Sequence, residues 1–346
     1  MIINNKIISE SSKPYTIAEV GINHNGKITN AIKMIDVAKK AGVDCIKFQT
    51  FKASEIIIDK KVNYTYSTND KEVTESMYEM FKRYELKKLD WIKIRDYCEK
   101  LNIDFLSTPQ NKDDMDLLAE LGVKSIKIGS DDFNNYPLIH YYCTFNIPII
   151  MSIGMANEKE IDELISFFSK IKFKKYTFLL CTSSYPTPYD QVNLNKIKSL
   201  KIKLKNKVVG FSDHTENDYS SMIAVGLGAR IFEKHFTLNK NDLGPDHKFS
   251  LDPIELKNWV DSIHTAYKLL GSHQLIPTEN ELEMRKIARR TVTAIKKISR
   301  GDVFSINNIG LRRPNVGLEP IHYNKIIGKI SLRDIPLGGK IKKNDF

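Results

Sequence analysis

The sequence predicts a (β/α)8 TIM barrel followed by a small β-rich domain. Eight short apolar runs alternate with amphipathic helical stretches between residues 15 and 270. Polar residues collect at the carboxyl ends of these runs, which is where a barrel of parallel strands places its chemistry. The residues after 285 lack this alternation and contain a short internal repeat.

The apolar runs are rich in β-branched and aromatic residues, which favour strands. Each is followed by a stretch whose apolar positions lie three or four residues apart, as in an amphipathic helix. A doubly wound open sheet would also alternate, but its first turn normally carries G-x-G-x-x-G, which is absent here. The predicted strands are YTIAEV (15–20), DCIKFQ (44–49), IDFLST (103–108), VKSIKI (123–128), IPIIMS (147–152), YTFLLCT (176–182), KVVGFS (207–212) and ARIFEKH (229–235).

Two regions depart from this alternation. Residues 51–86 are too long for a simple strand-to-helix connection, so we expect a lid over the barrel mouth or an oligomer contact. In the tail, ISRGDVFSINNI (298–309) and IPLGGKIKKNDF (335–346) align without gaps and predict a pseudo-symmetric β unit. The predicted organisation is a catalytic barrel over 1–275, a linker over 276–284 and a β-rich domain over 285–346.

The composition narrows the class of protein. The formal net charge of +11 is compatible with anionic partners, but the lysines are scattered and no nucleic-acid module is recognisable, so nucleic acid is not expected. The four cysteines form no C-x-x-C pair, which is typical of reduced thiols in a cytoplasmic protein. No apolar stretch approaches the length of a membrane span, so no membrane partner is expected.

Two histidines end the last two predicted strands. His214 and His235 would therefore lie on adjacent strands at the same end of the barrel. Neutral imidazole binds Mn, Fe, Co and Zn, and two histidines leave coordination positions open for substrate or water. Each histidine alone is compatible with a structural role, whereas the matched pair favours a metal site. The preceding Asp213 and Glu233 are expected to point to the opposite face or to orient the rings.

Lys47 and Lys127 end the second and fourth predicted strands. Burying a lysine is costly unless an anion compensates it, so the pair predicts a phosphate or carboxylate ligand. The structural alternative is an internal salt bridge to Glu19 or Glu233. A different functional alternative is a Schiff-base aldolase, in which desolvation makes one lysine nucleophilic.

Serine, glycine and proline mark further strand ends. Ser130 and Ser152 stand beside glycines, and hydroxyls with exposed amides can cradle anionic oxygens. Tyr185 lies in the proline-containing segment CTSSYPTP, a stiff loop suited to holding a side chain in place. Gln49 and Ser107 complete the set of polar residues at predicted strand ends.

Several segments, taken in order, resemble the motifs of the sialic acid (N-acetylneuraminate) synthase family, which includes the legionaminate and pseudaminate synthases. The tail resembles the antifreeze-like SAF domain that follows the barrel in this family, so the resemblance spans essentially the whole chain. The segments are IAEVGINHNG, KFQTFKA, FLSTP, KIGSDDFNN, SIGMA, CTSSYPTP, GFSDHT and FEKHFTL with GPDHKFSLDP.

The resemblance implies a condensation of phosphoenolpyruvate with the open-chain aldehyde of an N-acetylated hexosamine, with release of phosphate. It implies a divalent cofactor, Mn2+ first and Mg2+ or Co2+ as alternatives, held by His214 and His235. The catalytic residues that it implies are Glu19, Lys127, Glu233 and Asp246. The substrate-binding residues that it implies are Asn23, Lys47, Gln49, Thr108, Ser130, Ser152, Ser183, Tyr185 and Arg313. Arg313 matches an arginine that the partner subunit offers to the N-acyl group, which implies a domain-swapped homodimer.

Two departures from the family pattern bear on the substrate. Some members carry Glu where this chain has Asn25, so Asp246, Glu233 or metal-bound water would have to handle protons in place of that carboxylate. Many members have Phe where this chain has Gln110, which makes this part of the wall more polar. N-acetylmannosamine, giving N-acetylneuraminate, is the first expectation, and a diacetamido sugar, giving legionaminate or pseudaminate, is the alternative. A Schiff-base pyruvate aldolase and a non-catalytic sugar- or ice-binding protein are the rivals from other classes.

Overall fold

A computed structural model describes residues 1–68, 71–205, 207–314 and 316–346. The chain forms two compact units, Met1–Gly271 and Ser272–Phe346. A helix over Glu279–Ala288 begins within the predicted linker 276–284. A Thr278 side chain caps this helix by accepting from the Glu281 backbone. None of the helices in the described ranges combines the length and apolarity needed to cross a membrane.

The first unit is the predicted barrel. Its parallel strands are hydrogen-bonded in the order β3-β2-β1-β8-β7-β6-β5-β4, so the last strand pairs with the first. The fold class predicted from the sequence is therefore confirmed. The strands are β1 Tyr15–Gly21, β2 Cys45–Thr50, β3 Asp104–Pro109, β4 Ile126–Ile128, β5 Ile149–Ser152, β6 Tyr176–Cys181, β7 Gly210–Asp213 and β8 Ile231–His235.

Amphipathic helices cover the outside of the strands. In the first of them, the buried residues Ala31, Met34, Ile35 and Ala38 recur at helical spacing, and Gly42 ends the helix at φ 82°. These faces join the outward side chains of the strands in one large apolar core. The helices are α1 Ile28–Ala41, α2 Lys88–Lys100, α3 Lys112–Glu120, α4 Tyr136–Thr144, α5 Glu158–Lys170, α6 Lys196–Lys203, α7 Tyr219–Gly226 and α8 Pro253–Leu270.

The barrel interior is apolar at its amino-terminal end. A short hairpin, Ile2–Ile3 with Lys6–Ile7, closes this end, and Ile3 and Ile8 pack against interior residues such as Tyr15 and Ile17. Successive inward positions on a strand are two residues apart, so the side chain above Ile17 is Glu19. The same step takes the other strands from apolar to polar residues. The interior thus becomes polar towards the carboxyl ends.

The long connection after β2 forms a lid. It contains the helix Ala53–Ile56, the antiparallel hairpin Asn63–Thr68 with Lys71–Ser76, and the helix Met77–Tyr84. A separate apolar cluster around Phe51 and Met80 anchors it to Ile22, in the loop after β1. Residues 69 and 70 of this segment lie outside the described residues.

The second unit contains the predicted repeat. Thr291–Ala294 pairs with Ile309–Arg312, and Ile298 bridges Ile335, so the first anchors of the two repeats face each other. The apolar anchors of both copies pack in one core. Gly301 and Gly338 have φ of 94° and 78°, which explains glycine at the same place in both copies.

Candidate active site at the carboxyl ends of the strands

A cavity of about 670 Å³ opens at the carboxyl ends of the barrel strands, under the lid. This volume is typical of a small-molecule site. Thirteen of the fifteen predicted site residues line it: Glu19, Lys47, Gln49, Thr108, Lys127, Ser130, Ser152, Ser183, Tyr185, His214, Glu233, His235 and Asp246.

Strand alternation decides which polar residues reach the cavity. Glu233 and His235 are two residues apart on β8 and both line it, whereas Lys234 between them points outward and pairs with Asp213 at 3.0 Å. Asp213 therefore faces away from the cavity, and the Thr215 and Ser221 hydroxyls also donate to it. The expectation that Glu233 points to the opposite face is wrong.

Two buried lysines and two buried carboxylates form the floor of the cavity. Lys47 Nζ lies 2.9 Å from Glu19 and 3.7 Å from Glu233, and Lys127 Nζ lies 3.6 Å from Glu233. The internal salt bridges considered as the structural alternative are thus present. One oxygen of each carboxylate, Glu19 Oε2 and Glu233 Oε2, has no hydrogen-bond partner among the described residues. The cluster therefore retains hydrogen-bonding capacity for a ligand.

The pKa values of these four groups diverge. Burial raises the pKa of Glu19, and the nearby Glu233 adds to the rise. For Glu233, burial also acts upward, but Lys127, Lys47 and the Ser212 hydroxyl together bring its pKa below the ordinary value. Burial lowers the pKa of Lys127, whereas for Lys47 the two carboxylates outweigh burial and raise it. Glu19 is thus the carboxyl group that more readily holds a proton.

Next to this cluster is a cradle of hydroxyl groups. Lys127 Nζ donates to Ser152 Oγ at 2.6 Å, and the Gly154 amide donates to Ser130 Oγ at 2.9 Å. A Cβ added to Gly154 would lie 2.4 Å from Ser183 Oγ and 2.7 Å from Ser130 Oγ. Ser130 and Ser183 therefore converge on a position that only glycine leaves open.

The two histidines meet at one side of the cavity. Their ring centroids are 5.6 Å apart. His214 Nδ1 lies 2.9 Å from the Thr182 carbonyl oxygen, which makes Nδ1 the donor and leaves Nε2 as a free acceptor. His235 Nδ1 is buried without a partner in the described chain, and burial lowers the pKa of this imidazole, which keeps it neutral. His235 is thus neutral, as metal binding requires. For His214, Cys181 and the Thr182 carbonyl outweigh burial and raise the pKa, so a metal ion at Nε2 competes with a proton.

Other metal ligands would have to come from outside the chain. In the described ranges, no three or more His, Cys, Asp or Glu side chains are grouped as a metal site. Two imidazoles with open positions completed by substrate or water are the donor set of a catalytic rather than a structural metal site. The residues present therefore fit a divalent ion of the Mn2+ class.

Asp246 closes the cavity on the side of β1. A Cβ added to Gly21 would lie 3.1 Å from Asp246 Oδ2, 3.5 Å from His235 Cε1 and 3.6 Å from Glu19 Oε1. Burial raises the pKa of Asp246 to about 7, and the Glu19 charge contributes. A carboxyl group with this pKa can both give and take a proton near neutrality.

Tyr185 forms the aromatic part of the wall. Its ring centroid lies 4.2 Å from that of His214 and 5.0 Å from that of Phe249. The Tyr185 side chain stays half exposed. It is therefore placed to contact a ligand at the mouth of the cavity rather than at its floor.

Two predicted site residues do not line the cavity. Asn23 is buried beside it, where its amide donates to the Phe236 carbonyl oxygen and to Ser250 Oγ, both at 2.9 Å. This side chain ties the loop after β1 to the loop after β8. Arg313 belongs to the second unit and is exposed. Asn23 therefore supports the loops around the cavity and is not part of its wall.

Asn25 also lies outside the cavity lining. Its Oδ1 atom is 3.1 Å from His247 Nε2, so the amide joins the same two loops that Asn23 joins. The His247 Nδ1 atom is 2.6 Å from Thr237 Oγ1. In this chain, residue 25 therefore makes a contact between two loops. It does not line the cavity, so replacing a carboxylate by Asn25 removes no carboxylate from the cavity wall.

Part of the cavity wall consists of residues that were not predicted from the sequence. Cys181 and Ser212 line the cavity two residues before Ser183 and His214, a spacing that strand alternation could have flagged. The lid contributes mainly apolar side chains, which nothing in the strand pattern indicates. The lid residues in the lining are Phe51, Ile56, Ile57, Tyr64, Met77, Met80 and Phe81. The prediction of a lid over the barrel mouth is thus confirmed.

The fold and the cavity define a (β/α)8-barrel enzyme with buried lysines and paired histidines at the carboxyl ends of the strands. The chain belongs to the NeuB family, which residues 34–275 match, and residues 289–346 match the SAF domain. The family and the class of tail domain expected from the sequence are both confirmed.

Similar proteins act in nonulosonic acid synthesis. An N,N'-diacetyllegionaminic acid synthase of Campylobacter jejuni is 39% identical over 93% of this chain and 97% of its own length. A pseudaminic acid synthase of the same species is 35% identical over 96% and 97%. The solved N-acetylneuraminic acid synthetase of Leptospira borgpetersenii has a TM-score of 0.73 and 31% identity, and the match covers 82% of this chain and 94% of that one.

Proposed function

We propose that this NeuB-family enzyme condenses phosphoenolpyruvate with the aldehyde form of an N-acetylated mannosamine-type sugar and releases phosphate. The observation that carries the proposal is the buried cluster of Lys47, Lys127, Glu19 and Glu233 at the floor of the cavity. It places two ammonium groups where an anion is needed and two carboxyl groups of divergent pKa beside them. The synthase relatives supply the reaction class.

Phosphoenolpyruvate carries a carboxylate and a phosphate, and both need cationic or N–H and O–H partners. Lys47 and Lys127 supply the charges, and Thr108 Oγ1, 3.3 Å from Lys47 Nζ, extends this polar floor. The hydroxyls of Ser130 and Ser183 lie beside Gly154, that of Ser152 accepts from Lys127 Nζ, and all three suit the phosphate oxygens. Binding the anion would also draw both lysines away from the carboxylates, which would then have to find protons or new donors.

The reaction forms one carbon–carbon bond. The methylene carbon of phosphoenolpyruvate attacks the aldehyde carbon, and the aldehyde oxygen takes a proton and becomes a hydroxyl. Water adds to the resulting cationic carbon and loses a proton, which leaves a hydroxyl group on the tetrahedral intermediate. The bond from this carbon to the phosphate oxygen then breaks, the departing phosphate takes the hydroxyl proton, and a ketone remains. One proton is therefore delivered and one removed, and Asp246 and Glu19 are the carboxyl groups whose raised pKa values suit these transfers.

We further propose that His214 and His235 hold a divalent ion, most simply Mn2+. The open cavity beside the two free imidazole nitrogens supports this assignment. A bound ion would act as a Lewis acid that polarises the aldehyde oxygen. His235 is kept neutral by burial and by the positive groups around it, His214, Lys47 and Lys127, so it needs no proton loss before it binds the ion.

The lid bears on the choice of sugar. N-acetylmannosamine is rich in hydroxyl groups, whereas a 2,4-diacetamido-6-deoxy sugar carries a methyl group and a second acetamido methyl group. Ile56, Ile57, Met80 and Phe81 give the mouth an apolar wall that suits those methyl groups. This wall favours the diacetamido alternative, as does the similarity to the legionaminic acid synthase.

We also propose a domain-swapped homodimer in which the partner subunit's Arg313 contacts the N-acyl group of the sugar. Arg313 is exposed, and none of the described carboxylates forms an ion pair with it, so its guanidinium is available to a ligand.

We also propose a cytoplasmic location for this protein. The free state of its four cysteines, Cys45, Cys98, Cys143 and Cys181, supports this proposal.

Phosphate release from phosphoenolpyruvate, measured in parallel with the two sugars, tests the proposed reaction. Sugar-dependent release supports the proposed reaction. Faster release with 2,4-diacetamido-2,4,6-trideoxymannose than with N-acetylmannosamine supports the proposal that the apolar lid wall favours the diacetamido sugar. Absence of release with every mannosamine-type sugar tried would contradict the proposal. Covalent trapping of pyruvate by borohydride, without sugar-dependent phosphate release, would replace the synthase by a Schiff-base aldolase.

A further inference from the structure

A second cavity, of about 780 Å³, lies at the opposite, amino-terminal end of the barrel. It is bounded by the amino-terminal hairpin and by the residues that precede β4, β5, β6 and β7. These strand starts are level with one another, because Ile126 donates to the Pro148 carbonyl oxygen and Ile149 to that of Lys175. The cavity therefore has a wall built from the barrel itself.

The inner surface of this cavity is largely apolar. Ile8, Tyr176 and Val208 are buried, and Ile147 and Pro148 lie between them in the lining. The Tyr176 ring stacks on Phe168 with centroids 4.1 Å apart, which fixes its position. A ligand of matching shape would remove this apolar surface from water.

Four lysines surround the apolar surface. Lys124 precedes β4, Lys174 and Lys175 precede β6, and Lys207 precedes β7. Lys175 donates to the Asn146 carbonyl oxygen at 2.7 Å, and the half-buried Lys207 lies 3.6 Å from the centre of the Tyr176 ring. Burial lowers the pKa of Lys207, and the nearby Lys174 lowers it further. The positive charges are thus crowded around the opening.

No acidic residue balances these charges. In the described ranges, none of the four lysines forms an ion pair with a carboxylate. Glu10 is the acidic residue of the lining, and it is already paired with Lys201 at 2.8 Å. An unbalanced group of four cations beside an apolar cavity has the character of an anion site rather than of a structural ion-pair network.

We propose that this cavity binds a small phosphorylated compound with an apolar or aromatic body, the chemistry of a nucleoside phosphate. The lysines would contact the phosphates, and the apolar wall would contact the base. The cavity is the size of known small-molecule sites. Because it lies at the other end of the barrel, this ligand would bind without displacing a substrate from the polar cavity.

The test is ATP binding to the full-length protein by isothermal titration calorimetry. The variant Lys124→Glu/Lys174→Glu reverses two exposed charges that have no structural partner, so it should fold. Lys33→Glu/Lys40→Glu, on the exposed side of α1, is the matched control with the same change in net charge. We expect the first variant to weaken ATP binding by about tenfold or more and the control to leave it nearly unchanged.

Two probes separate the parts of the ligand. Adenosine should bind much more weakly than ATP because it lacks the phosphates, and tripolyphosphate should bind more weakly because it lacks the base. Equal affinity of ATP for both variants, or no saturable binding to the unaltered protein, would overturn the proposal. Tripolyphosphate binding as tight as that of ATP would refute the role of the apolar wall.

Discussion

Two buried histidines should make the barrel lose stability as the pH falls from neutral to about 5. His24 is fully buried, and its Nδ1 accepts from the Gly26 amide, so Nε2 carries the hydrogen and has no acceptor among the described residues. His247 is buried between Thr237 and Asn25. Burial lowers the pKa of each from 6.5 to about 4, and His247 lowers the pKa of His24 further, whereas Asp242 partly opposes the effect of burial on His247.

The sign and the size follow from these pKa values. Below pH 6.5 the unfolded chain takes up protons that the folded protein refuses until about pH 4, so stability is present at neutral pH and is lost as the pH falls. At about pH 5, this difference in proton uptake amounts to about 2 kcal/mol for each histidine. The two together would remove a large part of a typical free energy of unfolding.

The assay is chemical unfolding at several pH values, followed by tryptophan fluorescence. Both tryptophans, Trp91 and Trp259, lie in the first unit, so the signal reports on the barrel. His247→Gln keeps a hydrogen-bonding side chain that does not titrate, and it should reduce the loss between neutral pH and pH 5 by about 2 kcal/mol. His140→Gln, at an exposed position on α4, is the control. An unchanged pH dependence in His247→Gln would refute the reasoning.

Three further substitutions test the polar cavity. Lys127→Met should raise the KM for phosphoenolpyruvate at least about tenfold, because it removes a buried cation, and an unaltered KM would remove Lys127 from the anion site. Asp246→Asn should lower kcat by about 10²–10⁴, the usual contribution of an acid–base group, and full activity would exclude proton transfer by this residue. Gly154→Ala would crowd the Ser130 and Ser183 hydroxyls and should weaken phosphoenolpyruvate binding. Gly226→Ala, which meets no atom within 4 Å, is its control, and equal effects of the two would contradict the cradle.

Strand alternation explains why so much of the cavity could be predicted. On an assigned strand every second residue near the carboxyl end faces inward, which agrees with the observed direction of Glu19 and Lys47. The same rule, applied from His235, places Glu233 inward and corrects the expectation that it points to the opposite face. The same rule separates Thr108, which lines the cavity, from Ser107, which points away from it. The Ser107 hydroxyl is hydrogen-bonded to Thr50 Oγ1 at 2.7 Å. On a regular strand, the backbone thus determines the direction in which each side chain points.

Residues on loops could not be placed in this way. Asn23 and Asn25 lie beyond the end of β1, and only the folded loop after β8 shows that they bond to Ser250 and His247. The apolar lid wall depends on how a long connection folds back over the barrel, which no local period encodes. The lysines of the second cavity are dispersed along the sequence, and the level strand starts bring them together.

The most direct test of the central claim is phosphate release after treatment with EDTA, with and without added Mn2+. It should be run on the unaltered enzyme, on His235→Ala and on His140→Ala, an exposed control. We predict that chelation abolishes turnover, that Mn2+ restores it in the unaltered enzyme and in the control, and that His235→Ala stays inactive in both conditions. Turnover that survives chelation, or a fully active His235→Ala, would contradict the assignment of the paired histidines as a metal site for this condensation.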